Sequence, residues 1–238
     1  MNRERLTSGL DMLGIAYDQT AIERFEAFHA ILDEYNQKMD LTAVLDEDER
    51  IDRHDLDSAA PLAKGLLVPG MKVIDVGTGA GFPGMPLLIL RPELEMTFLD
   101  ALNKRIVFLQ DALQRLGLKA KTLHARAEDA ARMPDHREQY DAAVSRAVAS
   151  AAVLQELTLP FVKTGGMAIA WKGPGVQEEM TAARRAAFVL GAAVRGVEPA
   201  PVPRRDDWAH CLLITDKTGK TPKTYPRKAG TPNKKPIA

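Results

Sequence analysis

The first regular pattern along the chain is helical. Between residues 20 and 39 apolar side chains recur every three or four positions, which predicts one amphipathic helix with a single apolar face. Those positions are Ile22, Phe25, Phe28, Leu32, Tyr35 and Met39. A second stretch, residues 46–58, changes from acidic to basic and is also predicted to be helical. We therefore expect a helical N-terminal extension over residues 1–65.

From residue 71 onward, short apolar runs alternate with helical periods. The pattern predicts strands over 72–76, 95–99, 121–125, 141–145, 167–171 and 211–215, and helices over 86–90, 104–116 and 177–190. An extended segment that ends in Pro-Val-Pro separates the last helix from the last strand. Alternating strands and helices imply a mostly parallel sheet with helices on both faces. The prediction is an α/β, Rossmann-like domain over residues 66–216.

Composition excludes several classes of protein. The 238 residues are 45% hydrophobic and 27% charged, which is ordinary globular composition. No apolar run is long enough to span a membrane, and the first residues lack the apolar core of a signal peptide. The single cysteine, Cys211, excludes an internal disulfide and a zinc site of several thiolates, and is expected in the core of the last strand. We expect a cytoplasmic protein without a metal ion.

Charge is unevenly distributed although the net charge is zero. Residues 217–238 contain seven basic side chains, four prolines and no acidic residue, so the other 216 residues carry a net charge of −7. This composition predicts a flexible basic tail. A cationic tail on an acidic body suits a polyanionic partner, and a purely solubilising tail is the alternative.

The most informative motif is Asp75-Val-Gly77-Thr-Gly79-Ala-Gly81, which lies between a predicted strand and a predicted helix. Glycines there allow a tight turn and the close approach of a ligand at the carboxyl end of the strand. Asp100 closes the second strand nineteen residues after Gly81, where a carboxylate suits the two hydroxyls of an adenosine ribose. The loop therefore predicts a nucleoside-containing cofactor.

Two cofactor classes fit such a loop. Gly79-x-Gly81-x-x-Gly84 satisfies the dinucleotide spacing, but Asp75 would place negative charge near a pyrophosphate and Pro83 removes one N–H group from a phosphate cradle. S-adenosylmethionine has a sulfonium, an ammonium and no phosphate. The motif thus favours a methyltransferase over a dehydrogenase.

Further candidates follow the third and fourth strands. Ala127-Glu128-Asp129 could bracket an adenine ring with a carboxylate and a backbone amide, and an N-cap or surface pair is the alternative. In Ser145-Arg146-Ala147 the guanidinium lies at a strand end, where it could bind a ligand or stack on a base.

The acceptor atom is suggested by what the chain lacks. No Asn/Asp-Pro-Pro-aromatic turn for an exocyclic amine follows the fourth strand, and no cysteine for a pyrimidine carbon lies near it. The acceptor is then already nucleophilic. Guanine N7 fits, because its lone pair lies in the ring plane and needs no deprotonation, so that alignment alone promotes transfer. No catalytic residue is assigned.

Several ordered blocks resemble the bacterial ribosomal RNA small subunit methyltransferase G family, also called glucose-inhibited division protein B. They are Asn36-Gln-Lys-Met-Asp-Leu-Thr42, His54-Asp-Leu-Asp-Ser58, Asp75-Val-Gly-Thr-Gly-Ala-Gly-Phe-Pro-Gly-Met-Pro86, Leu99-Asp-Ala-Leu-Asn-Lys-Arg105, Arg126-Ala-Glu128, Ser145-Arg-Ala147 and Lys172-Gly173. The resemblance covers about residues 20–175, and more loosely extends to 216. Ala101 and Asn103 differ from many members.

The resemblance implies a class I S-adenosylmethionine-dependent methyltransferase fold and N7 methylation of one guanosine in the 530 loop of 16S ribosomal RNA. Cofactor contacts carried over by position are Gly77, Phe82, Ala127, Glu128 and Arg146, beside Asp75 and Gly79 from the loop itself and Asp100 from the second-strand turn. Candidate substrate contacts are Arg146, Lys172 and His54, although helix capping and packing is the favoured alternative for His54 and Asp57. The expected partner is 16S ribosomal RNA or the 30S subunit, bound by a monomer.

Two other functions share part of this pattern. A methyltransferase of another RNA, a protein or a small molecule would have the same cofactor loop but would not need the basic tail. A non-catalytic RNA-binding module would keep the fold without using the cofactor, and the intact set of Asp75, Gly77, Gly79 and Asp100 argues against it.

Overall fold

The computed structural model describes residues 1–146 and 149–237. Its sheet contains β1 (Lys72–Val76), β2 (Glu95–Asp100), β3 (Lys121–His124), β4 (Tyr140–Arg146), β5 (Val162–Lys172), β6 (Ala192–Pro199) and β7 (Cys211–Lys217). The strand order is β3-β2-β1-β4-β5-β7-β6. Strands β1 to β5 pair in parallel, whereas β7 is antiparallel to both β5 and β6. The predicted mostly parallel α/β sheet is confirmed.

The helices lie before the sheet, between its strands and, for the last one, after β7. They are α1 (Arg3–Met12), α2 (Gln19–Asn36), α3 (Glu47–Arg50), α4 (Ala60–Ala63), α5 (Gly84–Leu90), α6 (Asn103–Arg115), α7 (Ala127–Ala130), α8 (Ala151–Thr158), α9 (Val176–Val189) and α10 (Thr231–Lys234). A π-helical turn, Ile51–Leu56, follows α3, and a 3-10 turn, Leu159–Phe161, follows α8. No helix in this described part of the chain is both long enough and apolar enough to cross a membrane.

The N-terminal helices pack onto the sheet domain. Asp18 caps α2 by accepting a hydrogen bond from the Ala21 N–H group at 2.7 Å, and the predicted apolar face of α2 contacts α5 and α6. Phe25 and Phe28 are fully buried in the same apolar cluster as residues of β1 and β2. The extension is helical as predicted, and it shares a core with the sheet. Its boundary at residue 65 stays a prediction.

Several elements were not predicted, among them helix α8 and strand β6. Helix α8 is buried on all sides, with polar residues such as Gln155 and Glu156 buried beside the apolar ones, so its environment could not be read from the contrast between apolar and polar positions. Strand β6 lies in the segment expected to be merely extended, and it forms the edge of the sheet beside β7. Cys211 is buried in β7 as expected, and burial raises the pKa of its thiol.

The prediction of a flexible tail over residues 217–238 is wrong for residues 217–237. Lys217 ends β7, is 1% exposed and pairs with Glu138 at 3.2 Å. Arg227 pairs with Glu156, which is fully buried in α8. Composition suggested disorder because the segment has few apolar residues. It is held instead by buried acids elsewhere in the chain, which its own sequence cannot reveal.

Candidate active site

The glycine loop after β1 is fixed to the end of β2 by backbone hydrogen bonds. The N–H groups of Gly77 and Thr78 donate to Leu99 O at 2.9 and 3.1 Å, and Gly79 N–H donates to Asp100 Oδ2 at 2.9 Å. Gly77 has φ +75°, a conformation that favours glycine. The loop and Asp100 therefore form one preassembled unit, although they are separated in sequence.

Asp75 supports this loop from below. Its Oδ2 accepts hydrogen bonds from Thr78 Oγ1 at 2.7 Å and from Gly84 N–H at 3.0 Å. A Cβ atom at Gly84 would lie 2.7 Å from the same oxygen and 2.5 Å from Phe98, so this position requires glycine. Burial raises the pKa of Asp75 to about 7, against the hydrogen bonds from Thr78 and Gly84, which lower it. Asp75 shapes the loop and does not line a cavity there.

The loop cavity is a space of about 460 Å³ above the glycines. Its lining residues are Leu41, Thr42, His54, Gly77, Thr78, Gly79, Ala80, Phe82, Asp100, Ala101, Leu102, Arg105 and Arg146. Asp100 is 4% exposed, and its Oδ1 accepts a hydrogen bond from Leu102 N–H at 2.8 Å. Arg105 donates to Asp100 Oδ2 at 3.2 Å. The cavity thus combines a fixed carboxylate with two guanidinium groups.

The Glu128 cavity, of about 160 Å³, adjoins the loop cavity through Gly77, Asp100 and Ala101, which line both. Its full lining is Val76, Gly77, Leu99, Asp100, Ala101, Ala125, Arg126, Ala127, Glu128, Leu157 and Asn233. Glu128 is 6% exposed. Ala127 and Glu128 thus lie together where the sequence placed them, at the end of β3.

The Trp171 cavity, of about 470 Å³, adjoins the loop cavity on the other side and shares His54 and Arg146 with it. Its lining residues are Val44, Arg53, His54, Asp57, Arg146, Ala149, Trp171, Lys172, Gly173 and His210. The three cavities therefore form a row along the carboxyl ends of the parallel strands, which is where ligands of such sheets bind.

Arg146, between the loop and Trp171 cavities, is held by four acceptors. Its Nη1 donates to Arg53 O at 2.8 Å, Asp57 Oδ2 at 3.2 Å and Ser58 Oγ at 3.4 Å, and its Nη2 donates to His54 Nδ1 at 3.3 Å. All four acceptors lie in the segment 53–58, so the N-terminal extension fixes the guanidinium at the end of β4.

His54 is neutral in this environment. Burial, together with the neighbouring charge of Arg146, lowers the pKa of His54 to about 3. Its ring stacks on Phe82 with centroids 4.4 Å apart, and its Nε2 lies 2.9 Å from Thr42 Oγ1. With Nδ1 accepting from Arg146, Nε2 carries the proton and donates to Thr42. His54 thus positions Arg146 and forms a flat wall, and its imidazole is uncharged near neutral pH.

Asp57 organises the Trp171 cavity. Its buried carboxylate contacts Arg146 at 3.2 Å through one oxygen and His210 Nδ1 at 3.0 Å through the other. The backbone carbonyl of Asp57 accepts a hydrogen bond from Trp171 Nε1 at 2.9 Å. Lys172, also on the cavity wall, pairs with Glu179 at 2.8 Å. One aspartate therefore joins three separate segments of the chain.

Sequence reasoning placed most residues at this edge and missed others. Gly77, Gly79, Phe82 and Asp100 line the loop cavity as expected, whereas Asp75 lies beneath it. The electrostatic argument against a pyrophosphate therefore belongs to Asp100 rather than to Asp75. Ala147 lies outside the described residues. Trp171, His210 and Asn233 were missed, because each reaches the edge from a segment without a recognisable motif.

The residues present fit S-adenosylmethionine better than a dinucleotide. Both Asp100 and Glu128 are carboxylates on cavity walls, which disfavours a pyrophosphate and suits ribose hydroxyls and an amino group. Arg105 and Arg146 are available in the loop cavity for a carboxylate.

The fold and this edge define a Rossmann-like, S-adenosylmethionine-dependent methyltransferase. Among solved structures, a SAM-dependent methyltransferase from Aquifex aeolicus superposes with a TM-score of 0.51 at 20% identity, covering 72% of this chain and 94% of that one. The neighbour supports the fold alone.

The family follows from sequence comparison. The family model GidB, described as rRNA small subunit methyltransferase G, matches residues 21–205. Ribosomal RNA small subunit methyltransferase G of Alkaliphilus metalliredigens is 46% identical over 233 residues, which is 98% of this chain and 97% of its own length. The protein of the same name from Clostridium perfringens is 42% identical over 228 residues, 95% of each chain. This chain belongs to the rRNA small subunit methyltransferase G family.

Proposed function

We propose that this enzyme transfers the methyl group of S-adenosylmethionine to N7 of a guanosine in the 530 loop of 16S ribosomal RNA. The observation that carries the proposal is the meeting of two cavities at His54 and Arg146. The loop cavity has the carboxylate and arginines that suit the cofactor. The Trp171 cavity is open beside it, with side chains that suit a base and a phosphate backbone.

The transfer needs alignment and no general base. The cofactor supplies an electrophilic methyl group on sulfur. The N7 lone pair forms the new N–C bond as the S–C bond breaks, which leaves S-adenosylhomocysteine and a 7-methylguanosine that carries the positive charge. No proton moves in this step, which agrees with a neutral His54 whose pKa is about 3. The chain's contribution is to hold the base in line with the methyl group.

The surroundings of the Trp171 cavity suit an RNA strand. Arg53 and Lys172 are cationic groups on its wall. Trp208 lies near the cavity, with the Arg205 guanidinium 3.7 Å and that of Arg53 4.6 Å from its ring centroid, and its ring stacks on His210. Arginine and aromatic side chains at one place are the groups that contact phosphates and stack on unpaired bases in RNA.

The form of the RNA substrate, the oligomeric state and the cellular location are part of the same proposal. The proposed substrate is 16S ribosomal RNA, either free or within the 30S subunit, and we propose that the enzyme acts as a monomer. A ribosomal RNA substrate supports the proposal that the protein acts in the cytoplasm.

A transfer assay tests the proposal. Wild-type protein is incubated with S-adenosylmethionine labelled in its methyl group and with 16S RNA, 23S RNA or 30S subunits from cells that lack this gene. We expect incorporation into 16S RNA or 30S subunits approaching one methyl group per molecule, and none into 23S RNA. Binding of cofactor without incorporation into either 16S substrate would contradict the RNA assignment and leave the fold assignment intact.

A further inference from the structure

Residues 218–237 lie beyond the region matched by the family model and form a segment wrapped across α7 and α8. Arg137 donates hydrogen bonds to the carbonyl oxygens of Thr221 at 2.8 Å and Tyr225 at 2.9 Å. Farther along, Glu156 accepts from Arg227 N–H at 2.7 Å and from Arg227 Nη2 at 2.6 Å. These contacts fix the path of the segment up to residue 227.

Beyond residue 227, the C-terminal segment reaches the cofactor edge. Gly230 has φ +79° and donates its N–H group to Glu128 Oε1 at 2.7 Å. This bond occupies one oxygen of Glu128 and orients the carboxylate. Helix α10 then places Asn233 on the wall of the Glu128 cavity, together with Ala127 and Glu128. The last segment of the chain thus completes a cavity whose other walls come from the ends of β1, β2 and β3, from α7 and from Leu157 of α8.

The Asn233 side chain is suited to a ligand rather than to the fold. It is exposed, and within residues 1–146 and 149–237 it makes no side-chain hydrogen bond. The rest of the wall offers apolar surface from Val76, Leu99 and Leu157. Apolar walls with a few polar groups at the edge are typical of a site for a flat heterocyclic base.

We propose that the C-terminal segment reads the adenine base of the cofactor, with the Asn233 carboxamide donating to a ring nitrogen while Glu128, oriented by Gly230, accepts from the 6-amino group. The inference rests on the S-adenosylmethionine assignment. Adenine offers both a ring acceptor and an amino donor on its edge. Hypoxanthine carries a carbonyl oxygen at position 6 and a protonated N1, so it mismatches these two groups. The segment therefore acts in cofactor specificity.

Calorimetric titration without RNA tests this role. S-adenosylhomocysteine and S-inosylhomocysteine, which differ at position 6 and N1 of the base, are titrated into wild type, Asn233→Ala, Asn233→Asp and Lys234→Ala. Lys234→Ala is the matched control, an exposed residue on the same helix that does not line the cavity. Thermal unfolding of all four proteins is measured in parallel.

We expect Asn233→Ala to weaken binding of S-adenosylhomocysteine about 3- to 10-fold, the loss of one neutral hydrogen bond. Binding of S-inosylhomocysteine should change little, so discrimination between the two ligands narrows. Asn233→Asp removes the donor at constant size and should lose at least as much affinity. Lys234→Ala should match wild type, and the unfolding temperatures should agree, because these side chains are exposed.

Unchanged affinity in Asn233→Ala, or an equal loss for both ligands, would overturn the proposal. If wild type binds neither ligand, the cofactor assignment fails and this inference with it. If wild type binds S-adenosylhomocysteine but methylates no 16S RNA, only the RNA substrate is wrong, and the comparison at Asn233 remains decisive.

Discussion

The loop cavity and the Trp171 cavity lie side by side but are built in different ways. Most of the loop cavity comes from residues 77–82 and 100–105, tied together by backbone hydrogen bonds. The Trp171 cavity gathers side chains from segments as distant as Val44 and His210, joined mainly through the carboxylate of Asp57. The proposed cofactor site can thus be recognised from short motifs in the sequence. The proposed acceptor site cannot, because its residues come together only when the chain folds.

This difference has consequences for mutation. In the loop cavity the critical property is backbone conformation, so glycines matter most. In the Trp171 cavity the critical property is charge placed by long-range ion pairs, so single side chains can be removed without altering the cofactor loop. If the loop cavity binds the cofactor and the Trp171 cavity binds the RNA, some variants should lose RNA methylation and keep cofactor binding.

The largest effect is expected from Gly77→Arg. Gly77 has φ +75° and lines both the loop and Glu128 cavities, so a long side chain there fills the site and strains the turn. We expect binding of S-adenosylhomocysteine to become undetectable by calorimetry. The control is Gly117→Arg, at a glycine with φ +62° that has open space around it. Equal loss in both variants would mean that strain alone, not the cavity, is responsible.

The next largest effect is expected in how the unfolding free energy depends on pH through Asp75, the buried residue beneath the loop. The folded-state pKa of Asp75, about 7, lies above its ordinary value of 3.8, so its stabilising contribution is full below about pH 4 and is lost as pH rises through 7. Relative to Asp75→Asn, wild type should lose about 4 kcal/mol of unfolding free energy between pH 4 and pH 8. Chemical denaturation at several pH values measures the difference.

Asp141→Asn is the control for this pH profile. Burial raises the pKa of Asp141, but hydrogen bonds from Lys163 and the Lys72 N–H group outweigh it, so the pKa lies below its usual value. Its contribution is therefore lost only as pH falls below about 4, and the difference from wild type should be flat between pH 4 and pH 8. A flat profile for Asp75→Asn as well would contradict the buried, raised-pKa carboxyl.

Lys172→Ala should separate the two cavities. Lys172 lines only the Trp171 cavity of the three, so kcat/KM for the RNA substrate should fall about 10- to 100-fold, as for loss of a charge-assisted contact. Affinity for S-adenosylhomocysteine should stay within about threefold of wild type. Lys163→Ala is the matched control. Lys163 lies on the same strand and also pairs with a carboxylate, that of Asp141, but at the opposite end of the strand. If Lys172→Ala lowers kcat/KM for RNA and affinity for S-adenosylhomocysteine by similar factors, the two cavities do not have separate roles.

The smallest effect is expected from the exposed lysines of the C-terminal segment. They are Lys220, Lys223, Lys228, Lys234 and Lys235. Deleting the segment would remove the buried Arg227–Glu156 pair, so substitution by glutamine is the proper test. If the lysines contact RNA phosphates, the logarithmic salt dependence of RNA binding should become shallower by about 0.7 per lost contact. An unchanged slope, measured by filter binding, would leave these lysines without an RNA role.

The predictability of each part follows from the range of its interactions. Strands β1 and β2 and the glycine loop could be predicted, because apolar runs and a turn motif are local properties. The pairing of Asp57 with His210 could not be, because 153 residues separate the partners. Neither could the folded state of residues 217–237, because Arg227 pairs with Glu156, an acid buried in α8 and far away in sequence.

The most direct measurement of the central claim is the location of the transferred methyl group. After reaction of wild type with 30S subunits and with 16S RNA from cells that lack the gene, the RNA is cleaved chemically at 7-methylguanosine and the new ends are mapped. The proposed methylation of one guanosine N7 in the 530 loop predicts a single new cleavage in that loop, which is absent with Gly77→Arg. Methylation that yields no cleavage, or cleavage at another guanosine, would contradict the account.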